Sequence, residues 1–269
     1  MNAGPARPPL VIAHLSDLHI GAHLPQVART LVDDVSAAAP ALLVVTGDCT
    51  MRARTSQFSQ ARAVLERLPV PRLVVTGNHD IPLLTLGRLV APYARYRSWI
   101  DAELDPRLDL PGVRALGLQT MPRWRWKSGR VSGEQSALVE DFLGSAPVGA
   151  LRLLAVHHPP SAGGLARMLG RAALMRAAAA ARVDIVLAGH THVPAVRAID
   201  LPSGHQLAEV VAGTATSTRL RGVPRSWNVI RVDAAHIRVE QRYEIAGEWR
   251  TGRVVSVERG AGRPLRTLC

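Results

Sequence analysis

Five short apolar runs, at residues 10–15, 41–46, 73–76, 151–156 and 183–188, each lead directly into a polar motif. Runs of this length, bounded by turn-forming residues, read as buried strands that end in loops. The motifs are Asp17-Leu18-His19, Gly47-Asp48, Gly77-Asn78-His79-Asp80, His157-His158-Pro159-Pro160 and Gly189-His190-Thr191-His192. A fold built from this chain therefore has to gather the C-terminal ends of five strands at one edge, where their loops form a single site.

Carboxylate, imidazole and amide oxygen together suit borderline or hard divalent ions, whereas thiolates mark structural zinc or iron–sulfur sites. No motif supplies a thiolate pair. In an X-x-His pair at a strand end the period of two puts both side chains on one side, so Asp17 with His19, and His190 with His192, can face one pocket. Asp48, with two oxygens, suits a bridge between two cations about 3.5–4 Å apart. His157 and His158 point to opposite sides if the strand continues, so at most one is a direct ligand. By the same alternation Cys49 turns away from the site as a small buried residue.

Between the runs, helical patterns fall at 26–38, 56–68, 132–143 and 165–182, and alternation of strand and helix predicts parallel strands with crossover helices. Ser132 with Gln135 forms a capping box at the third helix. Segments 193–199, 206–211, 227–232 and 236–243 read as strands that complete a second sheet. The fold class expected is α/β.

In order and without a gap, the motifs match the D-x-H, G-D, G-N-H-[DE], H, G-H-x-H pattern, and the chain resembles the calcineurin-like metallophosphoesterase superfamily over residues 10–244. The resemblance implies two facing mixed β-sheets flanked by helices, a four-layer sandwich with the metals at one edge. It implies two divalent ions (Mn, Fe, Zn or Co), one on Asp17, His19, Asp48 and His192 and the other on Asp48, Asn78, His157 and His190. His79 would protonate the leaving group and Asp80 would orient its ring. The implied reaction is phosphoester hydrolysis by a hydroxide bridging the metals.

Met51 stands where purple acid phosphatases place a Tyr, the Asp-Arg-Gly continuation of Ser/Thr protein phosphatases is absent, and His79 replaces the Arg of lipid A pathway pyrophosphatases. The likeness is greatest to bacterial class III cyclic nucleotide phosphodiesterases and glycerophosphodiesterases. A phosphodiester, with a 3′,5′-cyclic nucleotide as the named candidate, is the expected substrate. Because the motifs contain no Arg or Lys, the metals are expected to be the only fixed positive charge at the reacting phosphorus, which suits a singly charged diester. The alternatives are a phosphomonoester or lipid phosphate hydrolase, a DNA nuclease and a catalytically inactive scaffold.

The formal charge is +12, yet only Lys127 among the 33 basic residues is Lys, which points to codon bias as well as to an anionic partner. A small phosphate ester is favoured over nucleic acid, and self-association stays open. Candidate substrate contacts are Arg125 and Lys127, beside Trp124 and Trp126, Arg219 and Arg221, and His23 after the first motif. His14 reads as a packed core histidine, and His205 and His236 as surface residues. Two separated cysteines, Cys49 and Cys269, suit a reducing, cytoplasmic setting, and no stretch reads as a transmembrane segment or signal peptide. Residues 1–9 are expected to be a flexible tail and 10–269 one catalytic domain.

Overall fold

The computed structural model describes residues 9–83, 85–201 and 204–259, and for the backbone alone 266–268. The expected tail, apart from Pro9, and Cys269 lie outside the described residues. The chain opens with β1 (Leu10–Leu15), α1 (Pro25–Ala37), β2 (Leu42–Val45), α2 (Thr55–Glu66) and β3 (Arg72–Val74). These three strands pair in parallel, and helices return the chain between them. β2 is apolar and buried on both faces, as a central parallel strand must be. α1 starts with Pro25, whose missing N–H costs nothing in the first turn, and buries Val27, Leu31, Val32 and Val35 on one face.

After the short helices α3 (Leu86–Val90) and α4 (Ala94–Trp99) come β4 (Arg107–Leu110), β5 (Val113–Leu118), β6 (Gly129–Arg130) and α5 (Gly133–Leu138). The Ser132–Gln135 capping box forms at α5, which runs on as one π-helical turn to Leu143. β7 (Leu151–Val156), β8 (Met168–Leu169), α6 (Arg171–Ala180) and β9 (Ile185–Ala188) follow. The chain ends in β10 (Ala195–Asp200), β11 (Gln206–Val211), β12 (Ser226–Val232), β13 (His236–Ile245), β14 (Glu248–Glu258) and β15 (Arg266–Leu268).

The strands form a seven-stranded sheet, β15-β14-β13-β12-β1-β2-β3, and a six-stranded sheet, β10-β11-β9-β7-β5-β4, with β6 and β8 paired separately. Ile12, Val44 and Leu73 of the first sheet pack against Leu153, Ile185 and Val210 of the second. On the outer faces, Leu31 of α1 and Phe58 of α2 cover the first sheet, and Val139, Leu143 and Leu174 cover the second. This is the expected four-layer α/β sandwich. Trp227, fully buried on β12, donates its indole N–H to Asp34 of α1 at 2.9 Å and fastens the outer helix to the sheet.

Several expectations need correction. The helix expected over 165–182 begins only at Arg171, because Gly170 adopts φ +80 and a Cβ there would lie 2.2 Å from the Val131 carbonyl oxygen. Residues before it form a 3₁₀ turn and the edge strand β8 instead. α3, α4, β4, β5 and β14 carried no sequence expectation, although β5 lies inside the second sheet. His205 is not a surface residue: it is buried, with Nε2 2.8 Å from the Val183 carbonyl. His236 is exposed, and His14 is buried between Thr46 and Asn228, as a core histidine. Among the described residues no helix is long and apolar enough to cross a membrane.

Candidate metal centre

Beyond the ends of β1, β2 and β9 the chain does not continue as strand. Asp17, His19, Asp48, His190 and His192 all have φ between 49 and 68, five of the nine non-glycine residues with positive φ among the described residues. Such left-handed backbone costs roughly 1–3 kcal/mol per residue and persists only where surroundings over-determine it. The surroundings here are the motifs themselves: Asp17 N–H donates to Gly47 O at 3.0 Å, His19 N–H to Asp48 O at 2.9 Å, and Gly189 N–H to His157 O at 3.0 Å. Convergence of the X-x-His pairs thus comes from tightly kinked loops and not from strand alternation.

The glycines of the motifs allow this interlock. A Cβ on Gly77 would sit 2.1 Å from Asp48 Oδ1, and one on Gly189 would sit 1.8 Å from Ser16 Oγ. No side chain fits at either place, so these glycines belong to the site as much as its ligands do.

Seven polar side chains meet inside this cage. His192 Nε2 lies 3.0 Å from Asp17 Oδ1, His19 Nε2 lies 3.5 Å from the same oxygen, and the two Nε2 atoms are 3.1 Å apart. Asn78 Oδ1 is 3.2 Å from His157 Nε2 and 3.0 Å from His190 Nδ1. Asp48 Oδ2 stands between the groups, 3.7 Å from His19 Nε2 and 3.5 Å from His157 Nε2. Every candidate ligand is brought together, and Asp48 is placed to be shared.

The donors are aimed as ligands are. His157 Nδ1 meets the Thr46 carbonyl at 2.6 Å and His192 Nδ1 meets the Arg219 carbonyl at 2.9 Å, which puts the ring proton on Nδ1 and turns the Nε2 lone pair inward. Asp17 Oδ2 accepts from Ser16 Oγ and from His190 N–H, and Asp48 Oδ1 accepts from His79 N–H. Asp17 Oδ1, although buried, has no hydrogen-bond partner. A buried oxygen left bare among imidazole lone pairs, with no thiolate present, fits an O,N-liganded divalent cation.

Electrostatics agree. Burial opposes charge at Asp17, but His192, His19 and His157 outweigh it and hold the carboxyl well below its ordinary value. Burial likewise opposes protonation of His157, yet Asp48 with Asp17 and the Thr46 carbonyl raises it to about 9. His190, buried beside His157, falls to about 4. A pocket that draws protons onto one buried imidazole against desolvation has the negative potential a cation requires.

His79 lies at the edge of this centre, its ring edge-on to His19 with centroids 4.9 Å apart. Asp80 does not touch that ring. Its carboxylate accepts from the backbone N–H groups of Gly77, Cys49 and Thr50 and from the Thr50 hydroxyl, and ties the second motif to the third. Burial first, and then the Asp48 charge, raises Asp80 to about 6. The His79 ring is oriented instead by the Met51 carbonyl, 3.0 Å from Nδ1, and by Arg219, whose guanidinium lies 3.1 Å from Nε2. Neither contact was foreseen, although Met51 follows the second motif closely.

A cavity of about 390 Å³ opens over Asp48, Asn78, His79, His190 and His192, with Lys127, Arg219 and Arg221 on its wall. A second, of about 260 Å³, adjoins His79 and is walled by Met51, Ile81, Leu83 and Trp126 together with Arg52, Lys127 and Arg219. Three of the five proposed substrate contacts therefore reach the site. Arg125 does not line either cavity and bonds Ser128 within its own loop. His23 is also absent from both walls, and its Nδ1 accepts from Gly21 N–H. His158 turns from the centre to bond Thr120 Oγ1 and the Lys127 carbonyl, so it fastens the loop carrying Lys127.

Comparison with known proteins adds to this geometry. A family model described as calcineurin-like phosphoesterase matches residues 10–194. A probable cyclic nucleotide phosphodiesterase of Synechococcus sp. is 30% identical over 203 residues, which cover 68% of this chain and 73% of that one. Among solved structures, PhoD superposes with a TM-score of 0.72 at 12% identity, covering 100% of this chain and 73% of PhoD. A purple acid phosphatase from yellow lupin (Lupinus luteus) seeds gives 0.70 at 15% identity over 90% of this chain and 53% of the lupin enzyme, so this chain spans about half its length. At such identities the structural likeness speaks for the fold alone. The family match runs through all five motifs and the strands that carry them, and the chain accordingly belongs to the calcineurin-like phosphoesterase family of metal-dependent phosphoester hydrolases.

Proposed function

We propose that the protein is a phosphodiesterase, with residues 10–269 acting as one catalytic domain and a 3′,5′-cyclic nucleotide as the leading substrate. The observation that carries this reading is the second cavity. It adjoins His79, and its wall sets Met51, Ile81, Leu83 and Trp126, an apolar and aromatic surface, among the cations Arg52, Lys127 and Arg219 beside the phosphate site. A nucleobase stacks on such surfaces. The Synechococcus relative described as a probable cyclic nucleotide phosphodiesterase supports the same substrate class.

Asp17, His19, Asp48 and His192 would hold one divalent ion, and Asp48, Asn78, His157 and His190 the other. When bound, such ions supply Lewis acidity at the phosphoryl group and lower the pKa of a coordinated water. The remaining work falls to His79 and Arg219. A carbonyl only accepts and a guanidinium only donates, so the contacts of His79 put its proton on Nδ1, against Met51, and leave a lone pair on Nε2, against Arg219. Burial lowers its basicity further. In this arrangement Nε2 has no proton to give. Once Arg219 leaves His79 for a substrate phosphoryl oxygen, Nε2 can take a proton from solvent and pass it to the departing alkoxide, which returns the ring to its neutral form.

Arg219 also bears on the choice of ester. The motifs lack fixed cations, but the fold brings Arg219, Lys127 and Arg221 to the cavity wall. The metals are thus not the only positive charge available, which favours a second reading, a doubly charged phosphomonoester. Turnover of bis(p-nitrophenyl) phosphate against p-nitrophenyl phosphate, followed by a cyclic nucleotide panel, separates the two. Faster diester turnover is expected, and a monoester preference overturns the first reading.

A further inference from the structure

Half of the large apolar side chains exposed among the described residues border the mouth of the site. Of twelve large apolar side chains that are exposed among the described residues, six belong to this rim: Leu83, Leu86, Leu89, Val90, Trp124 and Trp126. Leu86 is 79% exposed, Val90 82% and Trp124 60%, so nothing among the described residues covers them. Scattered exposed leucines need no explanation, but a contiguous patch does.

The rim is built, because one buried arginine holds its two halves together. Arg88, 4% exposed, sends its guanidinium to the carbonyls of Pro82, Arg123 and Arg125, and stacks 4.3 Å from the Trp126 ring centroid. Arg123 returns the contact to the Leu89 carbonyl. α3 and the loop around Trp124 therefore present their apolar side chains as one surface. Cations are interleaved with them: Arg123, Lys127 and Arg130 are exposed. Neither residues 81–100 nor residues 111–133 contain a single Asp or Glu.

We infer that this rim docks the protein onto an anionic lipid bilayer, with the mouth of the site facing the headgroups. Exposed Trp, Leu and Val among Arg and Lys, with no acid, are the composition of an interfacial membrane surface. The basic side chains gain from the negative surface potential, and the apolar ones from burial at the headgroup boundary. Trp and Arg are enriched at protein interfaces as well, but cations set among the apolar side chains, with no acid in either segment, complement a uniformly anionic headgroup layer more closely. The docking surface holds for any ester that the site cleaves.

Co-sedimentation with phosphatidylcholine vesicles, with and without phosphatidylglycerol, tests the inference on the full chain. Binding to the anionic vesicles is expected, with a blue shift of tryptophan emission and a loss on raising salt. The triple variant Leu86→Ser, Leu89→Ser, Val90→Ser, and separately Trp124→Ser, should bind roughly tenfold more weakly. Both should turn over soluble bis(p-nitrophenyl) phosphate at the wild-type rate, which also reports that they fold. No partition onto anionic vesicles, equal binding by wild type and variants, or a vesicle-free dimer that the variants dissolve would each overturn it.

Discussion

The buried edge that carries the candidate ligands and the exposed rim beside it use opposite physics. At the edge, Asp17, His19 and His157 are fully buried, Asp17 and His19 have left-handed backbone, and each is fixed by a hydrogen bond from a distant segment or by ion-pair contacts within the cage. At the rim, Leu86, Val90 and Trp124 are exposed to solvent, and two arginines, Arg88 and Arg123, hold the arrangement. The edge is over-determined and so can store strain and charge. The rim is held by few contacts, which is what an adaptable binding surface requires. Arg219 joins the two: its carbonyl fixes His192 and its guanidinium reaches His79 and the cavity wall.

If this contrast is right, changes at the edge should abolish chemistry and changes toward the rim should alter binding. The largest effect is expected for Asp48→Ala, which removes the shared carboxylate. Loss of an outer-shell partner already costs about 10–100-fold in such sites, so turnover should fall by more than that, and metal content with it. Full metal content and rate in this variant would break the account of the edge.

His79→Ala comes next. Removing a general acid should slow an ester with a poor alkoxide leaving group by about 10²–10⁴-fold, while a nitrophenyl ester, whose leaving group needs little protonation, loses far less. Equal losses on both esters would assign His79 to orienting phosphate. Metal content should stay near that of the wild type.

Arg219→Gln gives the smallest effect and sharpens the boundary most. Since the side chain must move from His79 to the substrate, KM for the natural substrate should rise roughly tenfold with a smaller change in kcat. A collapse of kcat with KM unchanged would place Arg219 with the edge instead. Arg219→Lys should restore part of the binding but not the planar, two-point contact of a guanidinium.

The edge was legible in the sequence because it is local. Each apolar run and its motif are contiguous, so β1, β2, β7 and β9 are legible directly, and the seven candidate ligands follow from the family resemblance that the motifs carry. Strand alternation does not explain their convergence, because periodicity carries no sign of the left-handed turns at Asp17 or His190. The partner of His79 was missed for a similar reason. Asp80 is its neighbour in sequence, but the ring is met by Met51 and Arg219, 28 and 140 residues away in the chain.

The rim was hidden because it is assembled from segments with no clear period. Leu86-Gly87-Arg88-Leu89-Val90 is too short to show a helical pattern, and only the fold sets it against Trp124 and Trp126. Gly170 ended a helix that the Ala-rich stretch after it otherwise extends, a stop that depends on contact with the Val131 carbonyl. Arg125 and His23 were chosen from loop position alone, and the loops turn their side chains to their own neighbours.

The central claim is that Asp48 is shared by two cations. Titration of chelator-stripped protein with Mn(II), read by calorimetry and by elemental analysis of the reloaded protein, tests it most directly. The account predicts two ions per chain in the wild type, and loss of both in Asp48→Ala. A single ion per chain in the wild type, or two ions retained by the variant, would contradict it.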